Sequence, residues 1–389
     1  MTTNKEQMQI CTYTFPPRIE FGIGAINNLG KWVKDFKSKA PFIVTDEGIV
    51  KAGILTKIQK HLEEASLKYE VYDKVQPNPL DQNVNEGATL YQKGTHDLII
   101  GLGGGSPIDA AKGIQVLATA PGTIDKYYIE NNPPEVTPDV KLIAIPTTAG
   151  TGSEVGMGGV ITDSKTNRKQ FVRSGRPNLA LVDPELMKTM PPSVTAGTGM
   201  DALSHCIEAY VSINYSPIAD GIALKGIRLI EENLRYAMKE GTNLEARTNM
   251  AMAATMGGLA MSKDLGVIHS VSHQLSTQRD IPHGVANSIM LPHGMQFNLE
   301  VVMNKFVDVS YAFGVDISGM SIEKAAVAAI NAVRQLSQDI GLPQKLSEVG
   351  VKREDIPLMA KNAMLDFVHA TNPRRCSEED MIWLYEQAY

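Results

Sequence analysis

Apolar residues fall in short runs separated by helix-like stretches through the first half of the chain, and at helical spacing through the second. From residue 41, PFIVTDEG reads as a strand entering a turn, 51–66 as an amphipathic helix, KYEVYDKV as a strand and 81–94 as a helix. HDLIIGLGGGS then reads as a strand entering a glycine loop, 107–119 as a helix, VKLIAIPTTAGTGS as a strand entering a second loop, and LALVDPELM as a last strand. Strands alternating with helices predict a parallel sheet with helices on both faces, because parallel neighbours need a crossover between them. After TMPPSVTAGTG the texture changes to long helical periodicity over 198–213, 217–239, 244–261 and 265–279. The expected organisation is an α/β, Rossmann-like domain over 1–194 followed by an all-helical domain over 195–389.

Composition narrows the class. A chain of 389 residues is long enough for about two domains. The net charge of −6 calls for no polyanionic partner, so nucleic acid is not an expected ligand. No run of about 18 apolar residues marks a membrane span, and MTTNKEQMQICTYTFPPRIEFG lacks the apolar core of a signal peptide. Three scattered cysteines, Cys11, Cys206 and Cys376, argue against a disulfide framework. A cytoplasmic protein is expected.

The glycine loop IIGLGGGSPIDAAKG sits between an apolar strand and a helix with Pro107 in its first turn. Glycines allow close backbone approach to an anion, and the free amides of a helix N-terminus point at it. A phosphate suits that place, although the spacing differs from the G-x-G-x-x-G fingerprint and a bare turn has the same composition. Asp46, ending an earlier strand, is placed to accept hydrogen bonds from ribose hydroxyls and to disfavour a 2′-phosphate, which suits NAD over NADP. PTTAGTGSE, 146–154, is another loop at a strand's carboxyl end, where open α/β sheets bind ligands.

Three of the chain's eight histidines lie within HSVSHQLSTQRDIPHG. Asp201 and His205, at i and i+4, present a carboxylate and an imidazole on one helix face, a spacing that serves metal ligation and plain surface pairs alike. His269 and His283 complete a nitrogen and oxygen set suited to Fe(II), Zn(II) or related ions. Four protein ligands close a structural zinc site, or serve catalysis if a further position stays open. His273, one turn beyond His269, is a candidate proton relay.

GMDALSHCIEAYVS, LGVIHSVSHQL, IPHGVANSIMLPHGMQFN, GGGSPIDAAKG and PTTAGTGSEV together resemble the motifs of the iron-containing, group III alcohol dehydrogenases, in the family's order. The resemblance implies a dehydroquinate synthase-like fold, with an NAD-binding α/β domain, a helical metal-binding domain and the active site between them. It implies Fe2+ on Asp201, His205, His269 and His283, with Zn2+ an alternative, and His273 near the nicotinamide. It further implies NAD(H) contacts from Asp46, Gly104, Gly105, Ser106, Asp109, Thr147, Thr148 and Lys169. The expected enzyme is an NAD-dependent alcohol dehydrogenase or aldehyde reductase acting on a small molecule, as a homodimer or larger homo-oligomer. A lyase of the dehydroquinate synthase type would need a dense basic constellation that the metal motifs lack.

Two stretches depart from the family. AMSKDLG brings Lys263 and Asp264 where relatives carry small or apolar residues, and QLSTQRDIPHG brings Arg279 close to His283. With Arg173 and Arg176 these are candidate cations near the cleft, pointing to a short aldehyde with an anionic group, such as sulfoacetaldehyde or succinic semialdehyde. General short-chain alcohols or 1,3-propanediol are the alternative substrates.

Overall fold

The computed structural model describes residue 11 and residues 17–389, so most of the N-terminal stretch read above for a signal peptide lies outside the described residues. The strands are β1 (Arg18–Phe21), β2 (Pro41–Val44), β3 (Glu70–Tyr72), β4 (Leu98–Gly103), β5 (Lys141–Pro146), β6 (Gly159–Asp163), β7 (Arg168–Val172) and β8 (Leu179–Val182). Between them run helices α1 (Leu29–Asp35), α2 (Glu47–Lys51), α3 (Ile54–Glu64), α4 (Asp81–Lys93) and α5 (Gly105–Thr119). Six strands form a parallel sheet in the order β1-β8-β5-β4-β2-β3.

Alternation along the strands feeds two cores, as the period of two requires. Phe42, Val44, Ile99 and Leu142 pack with Val84 and Ala88 of α4 and with Ala111 and Ile114 of α5. Ile43, Leu98, Ile100 and Ile143 face the other way, onto Leu29 and Val33 of α1 and Ile58 and Leu62 of α3. Both faces are dry, which explains why these strands are nearly continuous apolar runs.

From Pro192 onward every long element is helical: α6 (Pro192–Val211), α7 (Pro217–Lys239), α8 (Leu244–Ala260), α9 (Val267–Arg279), α10 (His283–Ala312), α11 (Ile322–Asp339), α12 (Ile356–Ala363) and α13 (Glu378–Gln387). Ala180 and Val182 of β8 join the same core as Met200 and Leu203 of α6, so sheet and helices share apolar packing. None of the described helices is long and apolar enough to cross a membrane.

The antiparallel hairpin β6–β7 was not among the expected elements. RKQFV opens on two cations and so reads as loop, yet Gln170 and Val172 are buried in alternation. Its turn is set by Asp163 Oδ1, which accepts from the amides of Lys165 at 2.7 Å and Thr166 at 3.0 Å. Asn167, with φ 52°, closes it and donates from Nδ2 to the Thr277 carbonyl of α9 at 2.6 Å. The hairpin thereby bridges the sheet region to the helix carrying His269 and His273.

Candidate metal centre and cofactor cleft

A cavity of about 1030 Å³ runs between the carboxyl ends of the strands and the helical region, lined by Gly105 and Ser106 of the glycine loop, by Lys169, and by Asp201, His205, His269, His273 and His283. Three helices converge there. Asp201 and His205 lie one turn apart on α6, His269 opens the first turn of α9, and His283 is the first residue of α10. The approach of α10 to α6 depends on glycine, since a Cβ on Gly284 would collide with the Gly197 carbonyl.

The Nε2 atoms of His283, His205 and His269 stand 3.5, 3.7 and 3.8 Å from Asp201 Oδ1. Bonds of about 2.1 Å arranged tetrahedrally separate donors by about 3.4 Å, so this spacing fits a single transition-metal ion. Donor atoms of Asp201, His205 and His269 all lie within 4.8 Å of one another. The residues present fit a metal of the nitrogen and oxygen class.

Electrostatics keep most of this set ready to ligate. Burial would raise the Asp201 pKa, but His205, His283 and His269 together hold it well below the ordinary carboxylate range. Burial lowers His205 to about 4 and His283 well below its usual value, favouring neutral imidazoles. For His269 burial pulls the same way, yet the Glu208 and Asp201 carboxylates outweigh it and hold the imidazole at about 9.

Sequence reasoning missed the groups that orient these rings. Glu208 Oε2 pairs with His269 Nδ1, while its Oε1 accepts from the amides of Ile268 at 2.9 Å and His269 at 3.3 Å. Carboxylates commonly fix a ligating histidine this way. A signal existed: Glu208 follows Asp201 by seven and His205 by three, on one helix face. His273 Nδ1 donates to Asp366 Oδ2 at 2.6 Å, a partner 93 positions away that no local spacing announces. Asn287, one turn after His283, donates from Nδ2 to Asp201 Oδ1 at 2.8 Å.

The phosphate-type loop begins α5, with Gly104 at its N-cap and Gly105 packed so closely on Thr151 that a Cβ there would meet it at 2.8 Å. Ser106 Oγ accepts from the Asn78 amide at 3.2 Å. The Thr147 amide donates to the Gly103 carbonyl at 2.9 Å, and Thr148 packs against Gly104. Asp46 caps α2, its Oδ1 accepting from the Ile49 amide at 3.0 Å, and its Oδ2 lies beside Gly103. Asp109 also lines the cavity, but both its oxygens are engaged by protein, Oδ1 by Ser153 Oγ at 2.5 Å and Oδ2 by the Val160 amide at 3.1 Å. Burial lowers Lys169 to about 8, against the opposing pull of Asp201, Asp366 and Asp109.

The expected anion-binding cations fare differently. Arg279 is not among the cavity-lining residues, and its guanidinium pairs with Asp355. Lys263 is fully buried, its ammonium 2.5 Å from Asp220 Oδ1 and 3.3 Å from the Tyr210 carbonyl. Each of the two has a carboxylate of this chain as its partner. Lys263, Arg173 and Arg176 all line the cavity.

The family model of iron-containing alcohol dehydrogenase matches residues 16–184, and the C-terminal model of the Fe-containing alcohol dehydrogenase family matches 195–389. The chain belongs to the iron-containing alcohol dehydrogenase family. Its relatives within that family include the 1,3-propanediol dehydrogenase of Citrobacter freundii, 41% identical over 383 residues, covering 97% of this chain and 98% of the relative. Among solved structures, 1,3-propanediol oxidoreductase superposes with a TM-score of 0.94 at 39% identity, covering 98% of this chain and all of that one. Sulfoacetaldehyde reductase from Bifidobacterium kashiwanohense, in complex with NAD+, gives 0.87 at 27% identity over 98% of this chain and 99% of its own. As a member of this family of dehydrogenases, the protein is an oxidoreductase, and the family implies a metal and NAD(H).

Proposed function

We propose that the protein interconverts a short-chain, uncharged primary alcohol and its aldehyde using NAD(H), with Fe2+ held by Asp201, His205, His269 and His283. The observation that carries this reading is the meeting of four donors around one point in the same cavity as the glycine loop. The bound groups supply Lewis acidity toward the substrate oxygen and a hydride donor or acceptor carbon. The chain's own residues do the rest. The amides opening α5, with Ser106, would receive the cofactor phosphates, the remaining Asp46 oxygen would receive ribose hydroxyls, and Lys169, within the field of His273 and His283, would contact the cofactor nearer the metal. With Nδ1 of His273 committed to Asp366, its Nε2 is the ring atom that passes the hydroxyl proton toward solvent.

An uncharged substrate is favoured because Lys263 and Arg279 are each paired internally. The kinship with 1,3-propanediol dehydrogenase at 41% identity points the same way, whereas the sulfoacetaldehyde reductase likeness stands at 27%. The division into an NAD-binding domain over 1–194 and a metal-binding domain over 195–389 belongs to the same proposal. So do a reducing, cytoplasmic setting, suited to the free thiols of Cys206 and Cys376, and a homo-oligomeric state. The test is anaerobic NADH oxidation by the Fe2+-loaded protein with propionaldehyde, succinic semialdehyde and sulfoacetaldehyde at matched concentrations. Propionaldehyde should give the highest kcat/KM; no absorbance change with any aldehyde would remove the dehydrogenase reading.

A further inference from the structure

Asp264 adopts φ 59° and ψ −177°, a backbone region that glycine enters freely and other residues hold only when their surroundings force it. It lines the cavity that contains the four metal donors. The surroundings that force it are visible. The Lys263 ammonium is anchored to Asp220 and to the Tyr210 carbonyl, and the Lys263 carbonyl accepts from Ser212 Oγ at 2.7 Å and from Asn214 Nδ2 at 3.1 Å. Asn214 Nδ2 also reaches Asp264 Oδ2 at 3.3 Å, and the Asp264 amide donates to the Met261 carbonyl at 2.8 Å. Lys263 thus acts as a buried clamp on which the next residue is held out of its preferred conformation. Were a tight turn the only requirement, glycine would meet it without strain; what Asp264 adds is a carboxylate at the cavity wall.

The geometry points to Asp264 as a specificity-determining residue, a fixed carboxylate in the cavity that admits uncharged or hydroxyl-bearing substrate tails and turns away carboxylate and sulfonate tails. Asp264 is exposed where it lines the cavity, so it acts at an entrance; like charges juxtaposed there discriminate by repulsion, and the same oxygen accepts a hydrogen bond from a distal hydroxyl. Arg173, which directly follows β7, lines the same cavity, and its charge partly opposes the rise that desolvation imposes on the Asp264 pKa. Removing Asp264 therefore lifts a repulsion and leaves the positive field of Arg173 unopposed in that part of the cavity. This inference rests on the dehydrogenase reading above.

The test compares kcat/KM for propionaldehyde and succinic semialdehyde in the metal-loaded parent, D264N, D264G and D264N/R173Q, alongside thermal unfolding. In D264N the ratio of anionic to neutral aldehyde should rise at least about tenfold, and adding R173Q should cancel most of that rise. D264G should show the same change of ratio and unfold about 2 °C higher, because glycine relieves the strain. An unchanged ratio in both single variants overturns the inference, leaving Asp264 as part of a structural tie. If the parent reduces no aldehyde, the dehydrogenase reading fails separately. Calorimetric binding of butyrate against butyramide to the NADH-loaded variants then decides the charge discrimination without turnover, by the same tenfold criterion.

Discussion

The Asp366 carboxylate accepts a hydrogen bond from His273 Nδ1 at 2.6 Å, tying the segment that follows α12 to the second histidine of α9. Both groups are buried, and although burial opposes charge on Asp366, His273 holds its pKa below the ordinary carboxylate value. The ring is thereby fixed in one tautomer. Replacing Asp366 by Asn should lower kcat about tenfold to a hundredfold, with KM for the aldehyde and metal content little changed. Loss of bound metal in D366N, measured by elemental analysis, would instead make Asp366 part of the ligand scaffold.

Glu208 holds His269 by ring and backbone together. E208Q should weaken metal binding about tenfold to a hundredfold, read by competition with a chelator. In the parent protein, chelation should lower the unfolding temperature and added Fe2+ or Zn2+ should restore it, since a ligand at 100 times its Kd stabilises by about 2.7 kcal/mol. If E208Q holds metal as tightly as the parent, this carboxylate only shapes the helix contact.

The exposed Arg279 pairs with the largely covered Asp355 carboxylate, outside the cavity lining. R279Q should leave kcat/KM unchanged for neutral and anionic aldehydes and cost about 1–2 kcal/mol in urea unfolding, since Arg279 is exposed but the Asp355 carboxylate is largely covered. A selective loss of activity toward succinic semialdehyde would return Arg279 to the substrate site.

His293, in α10, is lowered to about 4, chiefly by burial and then by Arg334. Above pH 6.5 both folded and unfolded states carry it neutral. As pH falls from 6.5 toward 4 the unfolded state takes up the proton first, so stability declines through that window. H293Q should remove that share of the decline, a gain on the order of 2 kcal/mol at pH 4 relative to its own value at pH 7. Identical acid-unfolding profiles for H293Q and parent would show that the buried ring is not the sensor.

Much of the fold was legible because its elements obey one period at a time. The runs at Pro41–Val44, Leu98–Gly103 and Lys141–Pro146 are almost wholly buried, and α4 and α7 keep their helical stripes. The donors Asp201 and His205 were legible through i,i+4 spacing on one helix. What escaped notice depends on partners distant in sequence. The cations opening β7 read as loop until the burial of Gln170 and Val172 is known. Asp366 meets His273 only through the packing of α12 on α9. The roles of Lys263 and Arg279 turned on carboxylates at 220 and 355, which composition near the histidines does not reveal.

The sheet order has a consequence for how the protein is made. Among the described residues the strand Arg18–Phe21 pairs only with Leu179–Val182, and that partner leaves the ribosome roughly 10–30 s later. Over that interval Ile19 and Phe21 have no strand to lie against, while β2, β3 and β4 can already associate. Closure of this sheet edge is thus a late step of biosynthesis, and the growing chain must keep that tetrapeptide from aggregating until its neighbour emerges.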